Sequence, residues 1–346
     1  MKIEQDTKLD FDDVLIKPKR STLDTRKDVD LIRKYHFLNS ETNWEGIPLI
    51  AANLDTTGTF QMARTFIKID AMTALHRYYD PKKVVEFYQD ERKLWRFFVT
   101  VGTTVSDSSL QIYKDCLPED LFICLDAANG YTFSFVESLK RIRAKFPRAT
   151  IMAGNVATTE QTQELLIAGA DIIKIGIGPG SVCTTRLKTG VGVPQLSAIS
   201  ECADVAHGLD GHICADGGCR SAGDICKAFG AGADFVMIGG LIAGTNECDG
   251  TWIEKNGKKF FRYYGMASNE AMNKYNGGAS DYRAAEGKVV EIPAKGPVDD
   301  VIKDILGGLR GACSLSGARR LKDFSKCCTF IRCNRILNNV FNQYEV

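Results

Sequence analysis

Apolar residues along this chain gather into eight short, nearly unbroken runs, each ending in small or polar residues. The runs are Ile47–Asn53, Ala71–His76, Phe97–Gly102, Leu121–Asp126, Thr150–Asn155, Asp171–Gly178, His212–Gly217 and Asp234–Gly240. Unbroken runs of this length suit strands covered on both faces, as in a parallel sheet. Between most of them the apolar period lengthens to that of a helix, as over Ser134–Lys145 and from Thr159 to Gly169. The second segment opens with Thr and early acids and closes on Gly, a start and a stop. Strands alternating with helices eight times predict a (β/α)8 TIM barrel, with 1–346 forming one catalytic domain. Ala168–Gly176 and Ala231–Gly239 echo each other, which fits a repeated βα unit.

After the eighth run the pattern breaks. Cys248–Tyr264 is short, charged and turn-rich, and predicts a β-hairpin. Met266–Gly296 is long, polar and Gly-rich, and is expected to form a mobile lid, its flap at about 268–290. A closing helix is expected over Val298–Leu309. The Cys-bearing tail, about 326–346, carries no structural prediction.

Composition narrows the class. The 346 residues are 44% hydrophobic and 25% charged, globular values, and the net charge of +1 leaves no electrostatic footprint for nucleic acid. No apolar run approaches a membrane span, and Met1–Lys8 lacks the apolar core of a signal peptide, so a soluble, cytoplasmic protein is expected. Twelve cysteines occur with no C-x-x-C pair, which points to free thiols rather than disulfides or zinc.

Chemistry in such barrels gathers at the C-terminal ends of the strands. There stand Asn53, Asp55, His76, Asp126, Asn129, Asn155 and Asp216, together with the loop Gly176-Ile-Gly-Pro-Gly-Ser-Val-Cys-Thr-Thr-Arg186. That loop places Cys183 among Ser181, Thr184, Thr185 and Arg186, the setting of a nucleophilic thiol. Asp216-Gly217-Gly218 and Gly239-Gly240 follow the seventh and eighth runs, where backbone N–H groups can approach a phosphate. No Gly-x-Gly-x-x-Gly fingerprint accompanies them.

These motifs resemble the inosine monophosphate dehydrogenase/guanosine monophosphate (GMP) reductase family over essentially the whole chain. The resemblance runs from Leu9-Asp-Phe-Asp-Asp-Val-Leu-Ile-Lys-Pro-Lys-Arg-Ser21 through the cysteine loop to Ile305-Leu-Gly-Gly-Leu-Arg310. Leu187–Ser197, Tyr264–Ser268, Ala271–Tyr275 and Tyr282–Lys288 mark the reductase branch. The regulatory insertion usual in the dehydrogenases has no room here, and Tyr275–Tyr282 lacks their water-activating Arg-Tyr step.

The resemblance implies NADPH-dependent reductive deamination of GMP to IMP through a covalent Cys183 adduct at purine C2. Thr185 and Glu286 would transfer the protons. Ser181, Gly217, Gly218, Gly239 and Gly240 would cradle the phosphate, and Asp216 would take the ribose hydroxyls. Gly265, Met266, Ala267, Arg283 and Gly287 would contact the nucleotide. On the dinucleotide side the resemblance implies Arg77, Asp126, Ala127, Ala128, Ile177, Gly178 and Tyr282, with Thr25 and Arg26 reaching in from a neighbouring subunit of a homotetramer. Carbonyls of Gly178, Gly180 and Cys183, with Arg186 at the edge, would hold potassium. Leu54 and Arg77 depart from the family pattern, where Met and Lys are usual. Three rivals stand beside this reading: a dehydrogenase without its regulatory insertion, a flavin-dependent barrel, and a nucleotide-binding protein without activity.

Overall fold

The computed structural model describes residues 3–91, 96–278 and 284–333. The chain opens with β1 (Val14–Ile16) and a hairpin of β2 (Arg33–Phe37) and β3 (Thr42–Gly46). Strands and helices then alternate: β4 (Leu49–Ala51), α1 (Phe60–Ile67), β5 (Met72–Leu75), α2 (Pro81–Asp90), β6 (Phe97–Val101), α3 (Asp107–Cys116), β7 (Phe122–Asp126) and α4 (Phe133–Lys145). They continue as β8 (Thr150–Val156), α5 (Thr159–Ile167), β9 (Ile172–Ile175), α6 (Thr185–Thr189), α7 (Gln195–Gly208), β10 (His212–Asp216), α8 (Ala222–Gly230) and β11 (Phe235–Ile238). Strands β4 to β11 pair in parallel in sequence order, and β11 returns to β4 to close the barrel. Every one of the eight apolar runs is a barrel strand.

Side-chain parity explains why those runs lack polar alternation. On β9, Ile172 faces the interior cluster while Ile173 and Ile175 face the helices. On β7, Phe122 and Cys124 face inward, and Ile123 and Leu125 outward. Both faces are dry, so both parities are apolar. The helices start on local caps: the side chains of Thr59, Asp80, Ser106, Thr132 and Ser221 accept backbone N–H groups of the first turns. Helix α5 differs from its prediction: Thr158 takes the cap position and makes no side-chain capping bond.

The β2–β3 hairpin closes the N-terminal end of the barrel. Tyr35, Phe37 and Trp44 pack with the interior residues Phe122 and Phe235 as one aromatic cluster. The Tyr35 hydroxyl donates to the Asp234 carbonyl at 2.6 Å, which fixes the plug to the start of β11. Chemistry is therefore left to the other end.

In the last hundred residues the expected hairpin is present, and two other expectations need correction. The hairpin after the barrel, β12 (Trp252–Lys255) and β13 (Lys258–Tyr264), gains a third strand, β14 (Val289–Pro293). The stretch read as a long lid loop is thus ordered at both ends, because Ser268 caps α9 (Asn269–Asn276) and Val289 pairs with Tyr264. The closing helix α10 runs Val298–Ser316, beyond Leu309, since Gly308 and Gly311 serve as contact positions rather than stops. A Cβ at Gly308 would lie 2.7 Å from that of Ala222 on α8. Part of the tail is also structured: α11 (Phe324–Cys327) precedes β15 (Phe330–Arg332), which pairs antiparallel with β1.

Candidate active site at the barrel mouth

The loop after β9 turns on glycine. Gly178 has φ +86°, and a Cβ there would strike Arg186 Cγ at 2.6 Å. The turn presents Cys183, whose thiol donates to Thr185 Oγ1 at 3.2 Å. Thr185 Oγ1 in turn donates to Glu286 Oε2 at 2.7 Å. Glu286 reads in isolation as a solvated loop acid. It is held here because its stretch is stitched to the cysteine loop: Thr184 N–H donates to its carbonyl at 2.8 Å, Lys288 N–H donates to Val182 O at 2.9 Å, and Cys183 bridges Gly287. Glu286 N–H also donates to Ala267 O. Gly265 and Gly287 line the same seam, where a Cβ at Gly265 would meet Val182 O at 3.1 Å and one at Gly287 would meet Ser268 N at 2.8 Å. Met266 lies in the turn between them.

Beside the thiol loop the glycines that follow β10 and β11 form a recess. A Cβ on Gly240 would fall 2.6 Å from Ser181 Oγ, and one on Gly239 would fall 3.1 Å from the Tyr263 hydroxyl. Gly217 and Gly218 both have positive φ, and a Cβ on Gly217 would meet Gly180 N at 3.0 Å. Bare backbone is required on three sides, which suits a phosphate. Tyr263 joins this recess, although β13 gave no chemical signal in the sequence.

Asp216 closes the floor. Asn155 Nδ2 donates to its Oδ2 at 2.9 Å, and Lys174 Nζ donates to the same oxygen at 3.0 Å. Lys174 also donates to Asp126 Oδ1 at 2.5 Å. Burial alone would push the Lys174 ammonium toward neutrality; the two carboxylates outweigh it and hold it well above its ordinary pKa. Burial would likewise raise Asp126, and Lys174 brings it below the usual carboxylate value. The sequence reading passed over Lys174. Its only signal was a charge in an apolar strand, at the parity of the inward-facing Ile172.

Asp126 ends β7, Ala127 and Ala128 follow it along the rim, and the Arg77 guanidinium leans toward the Asp126 carbonyl at 3.4 Å. Ile177 lies half-buried in the loop after β9. Arg77 also sits over the ring of Tyr78, which stacks on Tyr275 of α9 at 3.5 Å. Helix α9 is tied down at Asp55, whose buried Oδ2 accepts from the Tyr264 hydroxyl at 2.7 Å, Lys274 Nζ at 2.9 Å and the Tyr275 hydroxyl at 2.7 Å. His76 lies nearby, stacked on Tyr79 at 3.8 Å; burial lowers its pKa to about 4, so it is neutral at ordinary pH.

Other expected residues are placed apart or lie beyond view. Arg186 sends its guanidinium to Asp10 Oδ2 and Val193 O, at 2.9 and 2.6 Å, and its own carbonyl accepts from Gly190. Gly180 O accepts from Cys183 N–H. Thr25 caps a short 3-10 helix, and Arg26 rests against Gly311 of α10 on the outer wall. Tyr282 and Arg283 lie outside the described residues. All twelve cysteines are free thiols, and no cluster of metal-ligating side chains occurs among the described residues. No helix there is long and apolar enough to cross a membrane.

A closed parallel barrel with a thiol, a hydroxyl and a carboxylate in line over its C-terminal end, beside a glycine-walled recess, defines the class: an α/β-barrel enzyme with its chemistry at the mouth. Comparison with known proteins narrows it. The family described as IMP dehydrogenase / GMP reductase domain matches residues 8–336. "GMP reductase 2" of Homo sapiens is 54% identical over 343 residues, 99% of each chain. "GMP reductase" of Edwardsiella ictaluri is 53% identical over 348 residues, covering both chains fully, and that of Klebsiella pneumoniae 52% over 345 residues, 99% of each. The chain belongs to the IMP dehydrogenase/GMP reductase family of oxidoreductases.

Proposed function

We propose that this chain reduces GMP to IMP: GMP + NADPH + 2H⁺ → IMP + NADP⁺ + NH4⁺. The observation that carries the reading is the line Cys183 Sγ, Thr185 Oγ1, Glu286 Oε2 at 3.2 and 2.7 Å, two donor-to-acceptor steps in one direction. The thiol proton can pass to the threonine hydroxyl as the hydroxyl proton passes to the carboxylate. Cys183 sulfur then adds to C2 of the purine, and Glu286, now protonated, returns a proton through Thr185 to the leaving amine. Ammonia departs and leaves a thioimidate at C2. NADPH, when bound, supplies the hydride that C2 receives; the C–S bond then breaks, and the thiolate left on Cys183 takes a fresh proton from solvent.

The remaining groups suit the substrate. The glycine recess with Ser181 and Tyr263 has the bare backbone a phosphate needs, and Asp216 is a fixed acceptor for the ribose hydroxyls. Asp126 and Arg77 offer an acceptor and a cation on the dinucleotide side. For potassium, the loop's carbonyls offer the neutral oxygen donors that a monovalent cation takes. Gly180 O keeps one lone pair after its bond to Cys183 N–H, so with Gly178 and Cys183 it can hold a monovalent cation that stiffens the turn carrying the thiol.

The test is absorbance at 340 nm with NADPH and GMP in potassium buffer, with ammonia assayed in parallel. Loss of absorbance with one ammonia per NADPH, abolished in Cys183→Ala, is the expected result. NADH formed from IMP and NAD⁺, without consumption of NADPH by GMP, overturns the reading in favour of the dehydrogenase reaction.

A further inference from the structure

Lys174 stands on β9 with the parity of Ile172, so its side chain rises through the barrel interior toward the mouth. It is 2% exposed. The fold makes room for it: a Cβ on Gly154, its cross-strand neighbour, would fall 2.7 Å from Lys174 Cβ. A single ammonium serves two carboxylates from different strands, Asp126 at the end of β7 and Asp216 at the end of β10. In the reading above, on which this inference rests, Asp216 faces the mononucleotide ribose and Asp126 faces the dinucleotide.

We propose that Lys174 is a positioning residue that couples the two subsites, so that filling either one tightens the other. When ribose hydroxyls donate to Asp216, they replace part of what Lys174 supplies there. The ammonium then settles on Asp126 and fixes the carboxylate that the second ligand must meet. The argument runs equally in reverse, as linkage requires. Asn155 keeps Asp216 in place during the exchange, because it donates both to Oδ2 and to the Gly176 carbonyl, at 2.9 and 2.8 Å.

Calorimetric titration of GMP, alone and with saturating NADP⁺, measures the coupling without turnover. The wild type should bind GMP more tightly with NADP⁺ present, by a factor of about five or more, and NADP⁺ should gain equally from GMP. In Lys174→Met both affinities should fall at least about tenfold and the coupling factor should drop to about one, since each carboxylate loses its buried partner. Lys174→Arg should recover most of the coupling. Asp126→Asn should also abolish it, and this variant carries the test if Lys174→Met does not fold. A folded Lys174→Met, or Asp126→Asn, that keeps the wild-type coupling factor overturns the proposal, as does a wild type that turns over yet shows no coupling. A wild type that neither binds GMP nor oxidises NADPH with it overturns the reductase reading and this inference with it.

Discussion

At Thr185 one hydroxyl accepts from the Cys183 thiol and donates to Glu286. An accept-and-donate position conducts a proton only while both neighbours are in place. Thr185→Val and Glu286→Gln should therefore each lower kcat by about 10²–10⁴. The double variant should be little worse than either single one, because the two groups act as a unit. Single-turnover release of ammonia is the readout, and losses that multiply in the double variant would mean two independent roles. Much of this was legible in the sequence: a cysteine amid glycine, serine and threonine is a local pattern. Asn155 and Asp216 were legible as polar strand ends, but Lys174 was not, because the three meet only when three strands lie side by side. No sequence spacing encodes that meeting.

At the scale of elements, the barrel strands were legible because burial on both faces leaves an apolar run. The β2–β3 plug was missed for the opposite reason. It buries alternate residues, Tyr35, Phe37 and Trp44, against the far end of a barrel that must exist first. The lid was misread because polar, Gly-rich sequence says nothing of strand β14, whose partner β13 fixes it. Helix α9 is ordered by a hub of three donors on Asp55 rather than by its own composition. Asp55→Ala should release it, since removing the acceptor strands the buried Tyr264 hydroxyl and unties Lys274 and Tyr275. The expected outcome is a KM for GMP raised about tenfold, near 1.4 kcal/mol, and faster proteolysis within 269–276, while the far-UV spectrum keeps its shape. Unchanged KM and cleavage would show that α9 is held by other contacts.

For the molecule as a whole, the plugged end should give stability a pH dependence of its own. Asp234 is buried, with His207 Nε2 at 2.9 Å and His212 Nδ1 and Arg33 Nη2 both at 3.6 Å. Burial would raise its pKa, and the histidines outweigh burial and hold it well below the usual value. The hydrogen bond to Asp234 raises His207; burial opposes charge on His212, and Asp234 outweighs it, so His212 is raised as well. A raised histidine contributes fully below about 6.5 and loses its contribution as pH climbs through the folded value. A lowered aspartate contributes above about 3.9 and loses it as pH falls through its folded value. The two windows overlap between about pH 4 and 6.5. The melting temperature of the wild type should exceed that of His207→Gln most in that interval, and the gap should narrow toward pH 8. The effect should be modest, because His207 is 45% exposed and water screens it. A gap independent of pH would remove the histidine from the account.

The bond from Thr185 to Glu286 also orders events in time. Its partners are 101 residues apart in the chain, with barrel strands β10 and β11, helices α7, α8 and α9 and the β12–β13 hairpin between them. Closing so long a loop costs entropy that only those intervening contacts can offset. The strands can pair and the helices can dock before the relay exists. Competence should therefore be a late property of this chain: in refolding, NADPH oxidation with GMP is expected to return after the far-UV spectrum does.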